Sequence, residues 1–174
     1  MRLAALFCIA ALAGTSPALA QDNALAQAGK STLGMVKNNV VKAAEQMSEE
    51  NYAFKPTPDV RSFGQLLGHI ANANYMICST ASGAENPNKT SIEKTMTTKA
   101  DLSKAVAESF AFCEAQFDAM TAAKSVESID MFGMKMPRLN ALQFNTAHGF
   151  EHYGNIVTYM RLKGMVPPSS QRGM

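Results

Sequence analysis

The sequence predicts an all-α fold, an up-down antiparallel four-helix bundle, on three observations. Apolar residues recur at spacings of three and four in separate stretches, the period of a helix with one buried face. Aromatic residues make up only 7% of the chain and tryptophan is absent, while methionine occurs 12 times, which suits packed helices better than a β-sandwich. Clusters of Gly, Pro, Asn and Ser separate the stretches.

Residues 1–20 stand apart from this pattern. Arg2 gives a basic start, LAALFCIAALAG is an apolar run too short to span a bilayer, and Ala18-Leu19-Ala20 places small residues before a cut at Gln21. The segment reads as a cleavable signal peptide, so the protein is expected in the periplasm or secreted, with no membrane attachment after cleavage. Cys8 would leave with it. Residues 21–174 then form one domain, long enough for its own core. The formal charge of +2 gives no electrostatic footing for nucleic acid, and no glycine-rich phosphate loop is present.

The first helix is predicted over residues 23–48, with Leu25, Leu33, Val36, Val40 and Met47 near one face. Pro56 and Pro58 impose an extended connection after it. The second helix spans residues 62–82, opened by Ser62 with Gln65 as a capping-box partner. SGAENPNKTS reads as loop. The third helix, residues 99–123, has a seam of Leu102, Val106, Phe110, Cys113 and Phe117. Alternation around Phe132-Gly133 suggests a small hairpin or irregular turn. Met131, Met134 and Met136 there are read as packing in preference to a copper-binding thioether cluster. The fourth helix runs over residues 137–163, with Pro137 in its first turn, Gly164 as its cap and Pro167-Pro168 forbidding continuation.

All three histidines of the chain fall on these helices. His148 and His152, at i and i+4, share one face of the fourth helix, and His69 lies among Leu66, Ala73 and Met76 on the second. Three imidazoles from two helices suffice for a divalent metal with an open position, although core histidines would show the same spacing. At about 100° per residue, Tyr159 falls on the line of the pair and Asn145 and Asn155 flank it by about 40°. The two asparagines are candidates to orient the rings, and Tyr159 to donate to a substrate.

The stretches GQLLGHIANANY and NTAHGFEHYGNIVTYMRLKGMVPP resemble the DinB-like four-helix-bundle superfamily of metal-dependent proteins, over nearly all of residues 21–174. The most specific parts are the histidine of the second helix and the H-x-x-x-H of the fourth with its R-L-K-G-x-V-P-P tail. The resemblance implies one divalent metal, zinc or nickel, held by His69, His148 and His152 with water completing the sphere. It also implies a metal-dependent hydrolase or transferase acting on a small molecule, the alternative being a non-catalytic metal- or ligand-binding bundle. Some members use low-molecular-weight thiols; the signal peptide, which would carry this chain out of the reducing cytosol, argues against that carry-over. Homodimerisation is left open.

HGFEH also fits H-x-x-E-H, the inverted zincin pattern, with Glu151 as base. The chain after His152 holds no Asp or Glu to complete such a site, so Glu151 reads as a solvated carboxylate. With no histidine beyond the three, any catalysis is expected to be Lewis-acid chemistry in place of a protein nucleophile. Cys78 and Cys113 are an even pair in an oxidising compartment. Between antiparallel neighbours their levels could differ by about 15 Å, against a Cα limit near 7 Å, but the long loop permits an offset, and the reading favours a disulfide.

Overall fold

The computed structural model describes residues 23–171; the expected signal peptide, residues 1–20, lies outside the described residues. Asn23 accepts from the Ala26 amide and opens α1 (Ala24–Gln46), which buries Leu33, Val36, Val40 and Ala43; Leu25, one residue into the helix, is exposed. A 3-10 turn (Glu49–Ala53) and an extended connection follow. At the start of α2 (Phe63–Ser82) the capping box is complete: the Gln65 amide donates to Ser62 Oγ (3.1 Å) and the Ser62 amide to Gln65 Oε1 (2.9 Å). Gly83, at φ +75°, ends the helix in the left-handed conformation that a side chain would strain.

Within the expected loop lies a single helical turn, α3 (Ile92–Thr95). Asn72 of α2 holds it in place, accepting from the Ile92 amide at 3.0 Å. Thr98 caps α4 (Lys99–Asp118), which ends before the expected Ala123, because Thr121 accepts from the Lys124 amide and starts a separate turn, α5 (Ala122–Ser125). The hairpin is real: β1 (Ser128–Met131) pairs antiparallel with β2 (Met134–Pro137), Ile129 opposite Met136, across a Phe132-Gly133 turn with both φ angles positive. Met131 is buried against the core and Met134, opposite it in the hairpin, is exposed. Pro137 closes the strand and stands at the N-cap position of α6 (Arg138–Leu162), one residue before the first turn in which the sequence reading put it.

The four long helices form a bundle, but their directions do not alternate as the up-down reading expected. Asn74 donates to Ser109 (3.0 Å), and four residues further along both helices Cys78 meets Cys113; α2 and α4 therefore run parallel. Lys30 pairs with Asp118 and Lys37 with Glu114, so α4 opposes α1. Arg138 reaches the Ala81 carbonyl at one end while Tyr159 reaches Arg61 at the other, so α6 opposes α2. The order is up, down, down, up, with α1 and α2 on a diagonal. The long connection carrying α3 permits this, because it returns the chain along the bundle before α4 begins.

The same arrangement removes the level mismatch expected for the cysteines. In parallel helices both stand in the last turns, with Cα atoms 5.4 Å apart, and they form a disulfide. Phe63, Leu67, Ile70, Val106, Phe110, Phe117, Leu142, Ile156 and Met160 belong with both cysteines to one continuous core. No described helix is long and apolar enough to cross a membrane.

Candidate metal centre

Because α6 opposes α2, a residue early in α2 faces one late in α6, and His69 meets His148 and His152 between the two helices. Ring centroids are 4.7 Å (His69–His152), 5.2 Å (His69–His148) and 4.3 Å (His148–His152) apart. One ligand nitrogen from each ring lies within 4.8 Å of the others, and the Nε2 atoms of His148 and His152 are 2.9 Å apart. A tetrahedral ion with Zn–N bonds near 2.1 Å holds its nitrogens about 3.4 Å apart, so small ring rotations suffice.

Electrostatics favour the neutral, ligating form. Burial, with repulsion from His148 and then His69, pushes His152 from 6.5 down to about 4. His148 is lowered by burial and by His69. His69 is lowered by burial and by the Arg61 guanidinium, against an opposing pull from Glu93. His148 Nδ1 is buried without a hydrogen-bond partner among the described residues. Three neutral imidazoles turned towards one point, with no carboxylate or amide donor between them, fit a borderline-soft divalent ion.

The surroundings hold the rings in place. Glu93, from α3, sets Oε2 at 3.5 Å from His69 Nδ1 and accepts from Arg61 Nε on Oε1 (2.8 Å). A carboxylate on Nδ1 leaves the other ring nitrogen free to bind an ion. Gly68 allows this approach, since a Cβ there would lie 2.6 Å from the Glu93 Cα and 2.9 Å from its N. Asn155 Nδ2 lies 3.4 Å from His152 Nδ1; turning the amide over would offer its oxygen to an Nδ1–H.

Asn145 does not serve the histidines. It is fully buried, and its amide donates to Asn74 Oδ1 (2.9 Å) beside the disulfide. Its offset of about 40° from the histidine line carries it to the α4 side of α6, a side that a helical projection cannot assign to a neighbour. Tyr159 lines the site, but its hydroxyl donates to the Arg61 carbonyl (2.6 Å). Glu151 is exposed. A cavity of about 740 Å³ opens beside His152, bounded by Lys55, Arg61, Glu93, Asn155 and Tyr159.

Sequence reasoning missed Glu93 and Arg61. Nothing in the short α3 segment distinguishes Glu93 from a surface carboxylate. The one available signal was Asn72 beside His69, a buried-face amide in need of a partner.

The DinB family profile matches residues 33–172. The uncharacterized protein YjoA of Bacillus subtilis (strain 168) is 25% identical over 129 residues, covering 74% of this chain and 84% of YjoA. The crystal structure of YjoA, described as a DinB-like protein, superposes with a TM-score of 0.66 over 84% of this chain and 99% of that one. A DinB-like protein from Bacillus cereus ATCC 10987 shares the fold at 16% identity, with a TM-score of 0.72 over 82% of this chain and 95% of its own. A profile matched over most of the chain, with its end falling just past the Pro-Pro tail, decides the relationship: this chain belongs to the DinB family.

Proposed function

We propose that this protein is exported, binds one divalent metal through His69, His148 and His152, and acts on a small molecule as a metal-dependent hydrolase or transferase. The observation that carries the reading is the convergence of three neutral imidazole nitrogens, within 4.8 Å of one another, at the edge of an open cavity. When bound, zinc or nickel would supply Lewis-acid polarisation of a substrate oxygen.

The chain's own part is to orient and to exclude. Glu93 holds the His69 tautomer and Asn155 steadies His152. Leu66 and the Tyr159 ring wall the cavity, and Tyr159 fixes the Arg61 backbone. Cys78 and Cys113 are joined and offer no thiolate, which agrees with chemistry that uses no protein nucleophile. Export is supported by the signal-like residues 1–20 and by that disulfide, since such bonds persist in oxidising compartments.

The test is metal analysis of protein purified from its exported fraction without added metal, beside the three single His→Ala variants. About one ion per chain is expected in the parent and a sharp loss in each variant. Full metal in all three variants would remove the triad from consideration. An intact metal site with no chelator-sensitive turnover of any substrate would leave a non-catalytic binding protein.

A further inference from the structure

A divalent ion held by three neutral imidazoles keeps its full charge. The charged side chains around the adjoining cavity are Lys55 and Arg61 against Asp59 and Glu93, a set balanced without the ion and doubly positive with it. Arg61 lines the same cavity as His152. Glu93 offsets one of these charges, since it pairs with Arg61 and faces His69, and the net positive charge that remains with an ion bound favours an anionic guest in the cavity.

Arg61 is also built to receive one. Its Nε donates to Glu93 Oε1 at 2.8 Å and its carbonyl accepts from Tyr159 at 2.6 Å, so the residue is tied at both ends. Its terminal nitrogens make no hydrogen bond to the described residues, and neither does the Lys55 ammonium on the same wall. A guanidinium fixed through Nε, with its outer nitrogens free, is a fork suited to an oxyanion.

We propose that Arg61, assisted by Lys55, forms an oxyanion subsite beside the metal centre, so that the substrate is a small acid. One end, a carboxylate or phosphate, sits on Arg61, and the other presents an oxygen to the ion. This rests on the metal reading above.

The experiment uses cobalt(II)-loaded protein and three short alkyl hydroxamates, alike except for a tail ending in an amide, a carboxylate or a phosphonate. Binding is followed in the cobalt absorption spectrum. At least one acid-tailed probe should bind about ten-fold tighter than the amide, the scale of one charge-assisted hydrogen bond, and the better acid identifies the substrate group. In Arg61→Gln, with cobalt content retained, the preference should fall below about two-fold, and in Lys55→Gln it should weaken by about three-fold. Equal binding of all three probes, or a preference that survives Arg61→Gln, overturns the subsite while leaving the metal reading intact. Failure to take up cobalt overturns both. If circular dichroism shows that Arg61→Gln does not fold, Lys55→Gln decides, and an undiminished preference there overturns the proposal.

Discussion

His69 Nδ1 faces a Glu93 carboxylate oxygen at 3.5 Å, and this one approach ties the candidate ligand of α2 to the helical turn α3. The same carboxylate holds Arg61, so a single side chain orients one ring of the histidine cluster and a cavity-lining cation. Its position depends on Gly68 for clearance and on Asn72 for the hydrogen bond that docks the Ile92 amide.

Replacing Glu93 by Gln keeps the shape and removes the charge. The expected outcome is a loss of about 10–100-fold in metal affinity, as for other carboxylates behind a ligating histidine. Fold stability of the metal-free protein should change by less than about 1 kcal/mol, since the pair with Arg61 is partly exposed. Competition against a chromophoric chelator measures the first and urea melts the second.

Gly68→Ala should act through space alone. The new methyl would meet Glu93 backbone atoms at 2.6 and 2.9 Å, so α3 must move. A cost of about 1–3 kcal/mol is expected, together with weaker metal binding as Glu93 leaves His69. Gly154→Ala is the control: the exposed Gly154 has nothing within 4 Å of its would-be Cβ, and there alanine should stabilise α6 by about 0.5–1 kcal/mol. Equal effects of the two changes in urea would refute the steric account.

The disulfide closes a loop across a sequence separation of 35. Intact-mass analysis of unreduced, alkylated protein should show no label on Cys78 or Cys113. Their joint replacement by alanine should cost about 2–4 kcal/mol in denaturant melts while leaving metal content unchanged, because neither sulfur belongs to the histidine cluster. Labelling of both residues in the exported protein would show the bridge to be absent.

Acid should weaken the metal-free protein in a defined window. His152 is depressed from 6.5 to about 4, so below about pH 6.5 the unfolded chain takes up a proton that the folded chain refuses. Stability is therefore full above that pH, falls as pH drops, and this contribution levels off near pH 4. His69 and His148, both lowered chiefly by burial, act in the same direction. Urea melts across this range should show the decline, and His152→Gln should reduce its slope. A slope unchanged in that variant would assign the effect elsewhere.

The sequence by itself determined the four long helices, the capping box of the second and the histidine set. Those features are local: the Ser62–Gln65 box, the three- and four-residue apolar seams and the i, i+4 spacing of His148 and His152 need no partner element to be seen. The tertiary structure decided what depends on which helix lies beside which. Parallel packing of α2 and α4 put Cys78 level with Cys113 and drew Asn145 away from the histidines to Asn74. The docking of α3 brought Glu93 to His69 across a connection that reads only as loop. Helical periodicity fixes the angle at which a side chain leaves its own axis, but not the direction of the neighbouring helix, and that direction is set by the long connection and the burial it permits.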